Sequence, residues 1–519
     1  MPKDHSSRLD DSLKILAKTS VVVLIGVVLS KLFTWLYRIV VARTFGPEIY
    51  GVLALATMVA GILVALFSFG LNDGLTRFIP LYRGKNQEGR ITFLFRRTMR
   101  VVSIAGIFGV ALMFFSADYV ALNIFHSTDL VPFLQILSLL VPITIISSVF
   151  LSVLRGYEKI GWYSFIINIV QNVSKFLLLV LFIFFGLQIN SIIFSTLIGA
   201  ALTLLIGYIV LKRVIPNIFT KNSNGGEGLK EVFSYSWPLL ILGVISVVNY
   251  WADSFALGYF RNTTEVGLYN AAVPLALLLL LVPDLFLQLF FPLITREFGN
   301  KNHDQIKELS KQVTKWIAAL NLPLFTILIT FPGTIINIFF DARFLAAEQA
   351  LRLLAIGALM TSLATVPSTL LSMIGKSRLI LINTLSALVL NIILNALWVP
   401  NYGMNGAALA TMISYIFLYI CFLTEARYIL GFIPLRRKMI NLFVISGLLL
   451  GFIFILKQTI AQYLTLSFPI LAGIGIIYLV LYALLVMAFG LDKHDDKIIK
   501  MLKNKAIFET TRKLKKGPS

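Results

Sequence analysis

Apolar runs of about 20 residues, the length a helix needs to cross a bilayer, recur along this chain between short polar stretches. No other feature limits the fold so severely. Fourteen such runs can be read, at approximately 17–41, 49–71, 99–117, 131–153, 162–184, 191–211, 233–257, 266–293, 314–338, 349–373, 379–399, 405–426, 439–457 and 468–490. Composition agrees: 58% of the 519 residues are hydrophobic and 13% charged, where a soluble domain carries about 25% charged residues. The expected fold class is all-α integral membrane, with 14 transmembrane helices.

A net charge of +21 would point to nucleic acid in a soluble domain. Its distribution points elsewhere. Alternate polar segments, beginning with the N-terminal lead, hold 37 of the 45 Lys and Arg residues. The opposite segments hold Arg43, Arg261, Arg343 and Lys457, with Arg352 just inside a span. Positive residues stay on the cytosolic side, so both termini are expected there, in a multi-pass protein of the cell membrane. The basic excess then serves topology and attraction to anionic lipid, not nucleic acid. No small-residue cleavage site follows the polar lead MPKDHSSRLDDSLK, so the first span is expected to be retained. The single cysteine, Cys421, excludes an internal disulfide and a Cys-based metal site. His5, His126, His303 and His494 are too scattered for a His-based one.

The chain repeats at an offset near 217. FGPEIYGVLALA (45–56) parallels NTTEVGLYNAA (262–272), LYRGKNQEGRI (81–91) parallels FGNKNHDQIKE (298–308), and LSVLRGYEKI (151–160) parallels LSMIGKSRLI (371–380). Each half holds six spans, and an even number returns the chain to the same side. The halves are therefore parallel repeats, related by an axis along the membrane normal. The expected layout is an N-terminal six-helix bundle (1–215), then a cytosolic linker (216–231) whose NSNGGEG is loop composition. A C-terminal six-helix bundle (232–427), two further transmembrane helices (428–490) and a basic cytosolic tail (491–519) complete it.

Polar groups inside spans are expensive and mark paths or partners. Lys31 and Arg38 in the first span are seven residues apart, almost two turns, and share a face with Thr34 and Trp35 between them. A carboxylate partner for Lys31 and snorkelling of Arg38 would account for either alone, but two aligned cations fit a wet cavity better. The fifth span carries a stripe of Ser164, Asn168, Gln171, Asn172 and Lys175; the seventh, Ser246, Asn249, Tyr250 and Asp253; the eleventh, Thr384, Asn391, Asn395 and Trp398. Through the repeat these are the same two helices in each half, as expected of helices flanking one central space. Interhelical hydrogen bonding, at about 0.6 kcal/mol per contact, would explain an isolated asparagine as well. Lys31, Arg38 and Lys175 of the first half suit an anion such as phosphate. Asn249, Asp253, Asn391 and Asn395 of the second suit a small cation, Na⁺ or H⁺, although a salt bridge would account for Asp253 equally.

Catalytic motifs fail. Gly375-Lys376-Ser377 resembles the end of a phosphate-binding loop, but Leu370 stands where the first glycine is required. The short external loops offer Asp118, Asp129, Glu265 and Asp341 singly, not as an acidic pair, so the chain is not expected to be an enzyme.

RTFGPEIYGVLALA, SFGLNDGLTRFIPLYRGK, DSFALGYFRNTTEVGLYNAA and VPNYGMNGAALATMISY together resemble the polysaccharide-repeat flippases. These are the Wzx-type polysaccharide transporters of the multidrug/oligosaccharidyl-lipid/polysaccharide (MOP) exporter superfamily, and the resemblance covers roughly residues 12–490. It implies two six-helix bundles forming a V around a central cavity, alternating access, and a lipid-linked oligosaccharide carried from the cytosolic to the outer leaflet. It implies cationic cavity residues at Lys31, Arg38, Arg43, Arg77 and Lys175, and an acidic position of the seventh helix at Asp253. It also implies a groove for the lipid tail beside spans thirteen and fourteen.

The expected function is therefore a flippase for a polyprenyl-diphosphate glycan in cell-surface polysaccharide or glycan export. Asn168, Gln171, Asn172, Asn249, Asn391 and Asn395 would line its path. No cofactor is expected beyond a coupling Na⁺ or H⁺ at Asp253. Expected partners are lipid-linked oligosaccharide, membrane lipids and glycan-assembly proteins, with the chain itself a monomer. The alternative is a cation-coupled multidrug exporter of the same superfamily; a scaffold for an envelope-assembly complex is a third reading.

Overall fold

The computed structural model describes residues 5–219, 229–461 and 468–490. Much of the expected linker (220–228) and the whole expected tail (491–519) lie outside the described residues. Among the described residues every regular element is helical, and eleven helices are long and apolar enough to cross a membrane.

Two of these are double-length. His5–Phe67 runs for 63 residues and Ser377–Leu430 for 54, and each is two helices joined at a glycine kink, Gly46 (φ 80°, ψ 178°) and Gly403 (φ 54°, ψ −135°). A residue without Cβ takes such angles at little cost. Pro47 stands at the first position after the Gly46 kink, where its missing N–H removes no helical bond. Left-handed residues also recur along the chain: Glu158 and Gly375 are 217 positions apart, as are Gly186 and Gly403.

The structure differs from the sequence reading where a polar stretch hides a helical period. Residues between the second and third runs read as a loop, but Leu71–Gly84 is a helix burying Leu71, Leu75, Phe78, Ile79 and Tyr82, a spacing that forms one apolar stripe. Glu88–Phe115 likewise begins well before the expected position 99. The ninth run, 314–338, is divided: His303–Thr330 ends before Pro332, which starts the short Pro332–Phe339 helix. Proline cannot donate to the preceding turn and disfavours helix in the residue before it.

The chain clusters into two compact units, Met1–Asn270 with Val399–Met404, and Ala271–Trp398 with Asn405–Ser519. In the first, the His5–Phe67 helix packs against Leu130–Leu137, Gln171–Phe184 and Leu229–Phe260, and its Val41, Ala42, Val52 and Leu55 are fully buried. In the second, His303–Thr330 packs against Leu281–Gly299, Glu348–Met373 and Lys438–Ala461 around Ile294, Ile317, Val366 and Leu370. An apolar groove of about 580 Å³ lies in this second unit, between Leu320, Pro323 and Ile327 of His303–Thr330 and Leu479, Tyr482 and Met487 near the C-terminal end of the described chain.

Candidate functional site

Within the first unit, Arg38 and Lys175 meet at a cavity of about 150 Å³. The His5–Phe67 helix supplies Thr34, Tyr37 and Arg38 before its kink and Tyr50 and Thr57 after it. The Gln171–Phe184 helix supplies Asn172 and Lys175, and Trp251 and Asn270 complete the polar and aromatic wall. No carboxylate contributes to this lining among the described residues.

Each cation is held by aromatic groups. The Lys175 ammonium sits 4.2 Å from the centre of the Tyr37 ring, a cation–π contact. The ring is fixed in turn by a 3.0 Å hydrogen bond between its hydroxyl and Thr196 Oγ1. The Arg38 guanidinium faces the hydroxyls of Tyr50 and Tyr250. Arg38 and Lys175 are close enough to repel one another. Two like charges taken out of water are costly unless an opposite charge joins them. The chemistry this arrangement supports is capture of an anion, with the tyrosine hydroxyls and the amides as further donors.

Asn172 ties the two cation-bearing helices together. Its Nδ2 donates to Ser30 Oγ (2.9 Å), and its Oδ1 accepts from Thr34 Oγ1 (3.0 Å). The spacing that grouped Gln171 with it in sequence fails for a physical reason. Phe165–Val170 is a π-helical turn, which accommodates about one extra residue and rotates the residues beyond it by about 100°. Gln171 is turned out and exposed, whereas Asn172 is turned in. Asn168 donates to Ser164 Oγ (2.9 Å) one turn back along the same segment.

The other expected residues lie elsewhere. Lys31 is exposed and outside the lining; it shares a face with Arg38, but seven residues separate them by about 10 Å along the axis. Arg43 is exposed near the Gly46 kink. Arg77 lies on the Leu71–Gly84 helix with its guanidinium 4.1 Å from the Tyr235 ring. Asn249 is exposed, while its neighbours Tyr250 and Trp251 reach the site. Asp253 accepts a hydrogen bond from the Tyr269 hydroxyl and does not line the cavity. In the second unit, Asn391 donates to Thr411 Oγ1 (3.1 Å) and accepts from Asn395 Nδ2 (3.0 Å).

Tyr37, Tyr50, Trp251 and Asn270 were not singled out in sequence. Three are aromatic and resemble ordinary core residues in an apolar run; Asn270 stands in GLYNAA, a motif noted for its resemblance rather than for chemistry. Among the described residues, no group of three or more His, Cys, Asp or Glu is placed to hold a metal ion.

The family described as "Polysaccharide biosynthesis protein" matches residues 16–298, and the MatE family matches 238–397. A Shigella flexneri protein described as "Putative O-antigen transporter" is 23% identical over 384 residues, covering 71% of this chain and 87% of that one. A Haloferax volcanii protein described as "Probable low-salt glycan biosynthesis flippase Agl15" is 23% identical over 308 residues, covering 58% and 63%. Among solved structures, "Lipid II flippase MurJ, inward closed conformation" superimposes with a TM-score of 0.70 at 18% identity, covering 90% of this chain and 99% of that one. At that identity the likeness is one of fold.

Proposed function

The chain belongs to the polysaccharide biosynthesis protein family, and we propose that it is a flippase that carries a lipid-linked oligosaccharide from the cytosolic to the outer leaflet by alternating access. The observation that carries this reading is the cavity holding Arg38 and Lys175, whose lining among the described residues has no carboxylate. A polyprenyl diphosphate needs a basic, hydrated station for its headgroup, and its tail can remain in lipid. The O-antigen and glycan transporters among its relatives support the same cargo class. The protein is a transporter rather than an enzyme, and it serves cell-surface polysaccharide or glycan export.

We also propose the finer layout. Two six-span repeats are followed by two further spans, which together make fourteen, and the left-handed residues recurring at 217 positions support that repeat. The proposed repeat boundaries are 1–215 and 232–427, with both termini cytosolic on the count of Lys and Arg. Asp253, held by Tyr269, is the proposed site for a coupling Na⁺ or H⁺. Arg38, Lys175 and Asn172 form the headgroup station, while Lys31, Arg43 and Arg77 are proposed to act earlier or later along the path. Glycan-assembly proteins are proposed partners.

The test is glycan export in cells carrying Arg38→Gln with Lys175→Gln. Export should fall at least 100-fold while the protein reaches the membrane in normal amount; normal export would overturn the assignment. The match to the MatE family favours one second reading, a cation-coupled multidrug exporter. Organic cations are poorly served by a cavity that is itself cationic, and drug resistance conferred on a hypersensitive host would decide for that reading.

A further inference from the structure

Beside the cavity lining, on the side of the Gly46 kink, two helices meet through backbone rather than side chains. A Cβ on Gly51 would lie 1.8 Å from the Thr263 carbonyl oxygen, and a Cβ on Gly267 would lie 1.8 Å from the Pro47 carbonyl oxygen. The contact is reciprocal: each glycine meets the carbonyl four residues before the other. Only two glycines permit helices to approach so closely. The crossing adjoins the cavity, because Tyr50 precedes Gly51, Asn270 is one turn past Gly267, and the Tyr50 hydroxyl reaches the Asn270 carbonyl oxygen at 3.5 Å.

A carboxylate braces the same helix. Glu265 accepts from Arg261 Nε (2.9 Å) and from the Met404 N–H (2.8 Å), beside the kink at Gly403. A Cβ on Gly403 would lie 2.1 Å from Glu265 Oε2, and the φ of 54° itself favours glycine at this position. Asn262 Oδ1 caps the helix start by accepting from the Glu265 N–H (2.9 Å). Met404 is the first residue after the kink, and its N–H has turned from its own helix to the carboxylate.

We propose that the Gly51–Gly267 crossing is the outer closure of the headgroup cavity, and that Glu265, bound to the Met404 N–H, is the latch that holds it shut. Its outward side rests on the flippase reading and on the paucity of Lys and Arg at this end of the spans. Opening separates the two glycines and releases Glu265 from the kink. The headgroup leaves through the gap between Pro47–Gly51 and Thr263–Gly267.

The test is thiol labelling of the full-length protein in intact cells. With Cys421, the single native cysteine, replaced by Ser, Thr57→Cys places a reporter in the cavity wall. A membrane-impermeant maleimide applied outside should label this parent slowly. Adding Gly267→Ala or Glu265→Ala should raise the external rate at least tenfold, and Met404→Pro at least threefold. Glu265→Ala and Met404→Pro add no bulk at the crossing, so they carry the test if Gly267→Ala fails to insert. Parental rates in variants present at parental level would overturn the proposal, as would faster labelling from the cytosolic face alone. Labelling needs no cargo, so the expected labelling combined with a closure-intact parent that fails to restore glycan export to cells lacking the gene would count against the flippase reading and leave the closure standing.

Discussion

Asn172 and Asn391 both stand in polar stripes on long apolar helices, yet they hold different things together. Asn172 bridges to Ser30 and Thr34 and brings Lys175 to the cavity that Arg38 also lines. Asn391 bonds Thr411 and Asn395 within its own unit. The proposed repeat would account for the contrast. At an offset of 217, Asn391 corresponds to Ser174, two positions beyond Asn172. Two positions are roughly 200° around a helix, so the amides of the two units occupy nearly opposite faces. A stripe in an apolar helix therefore identifies a face; only register tells whether that face meets a cavity or a neighbouring helix.

The comparison can be broken most directly at the cations. Lys175→Gln alone should cut glycan export about 100-fold, whereas Lys31→Gln should cost less than threefold; equal losses would dissolve the distinction between lined and exposed positions. Deleting Ile167 should come next. Removal of one residue from the π-helical turn should swing Asn172 and Lys175 away from the cavity by about 100°, lowering export at least 30-fold while Gln171→Ala in the intact chain leaves it unchanged. Asn172→Leu should lower export about tenfold, with a fall in melting temperature of the purified protein, because Ser30 and Thr34 lose their shared partner. The smallest effect belongs to the other stripe. Asn391→Leu alone should destabilise by about 1–3 kcal/mol through stranded polar partners, but Asn391→Leu with Asn395→Leu should recover most of that loss and export at the parental rate. A transport defect in the stable double variant would return those amides to the cargo path.

Run length alone made the helical membrane architecture readable, and the gaps between runs at 42–48 and 400–404 contain the kinks at Gly46 and Gly403. The helix Leu71–Gly84 was hidden because its exposed face is polar enough to pass for a loop. Of five expected cations, Arg38 and Lys175 line the cavity. Angular position is legible from spacing, but distance along the axis, which removes Lys31, depends on where the partner helix crosses. The π-helical turn leaves no compositional trace in FIINIV, so the loss of Gln171 from the stripe could not be anticipated. Tyr37 and Trp251 were missed because an aromatic ring in an apolar run carries no mark of the charge it will face.

The contact between Lys175 and the Tyr37 ring bears on the half of the cycle in which nothing is carried. A carrier that releases an anion outside must return with its cations unaccompanied, through surroundings that penalise bare charge. A ring face offers a desolvated ammonium about 2 kcal/mol, enough to keep it company and too little to compete with a phosphate. Under the flippase reading, the Tyr37 ring thus acts as a resident stand-in for part of the cargo's charge at Lys175 on the homeward stroke.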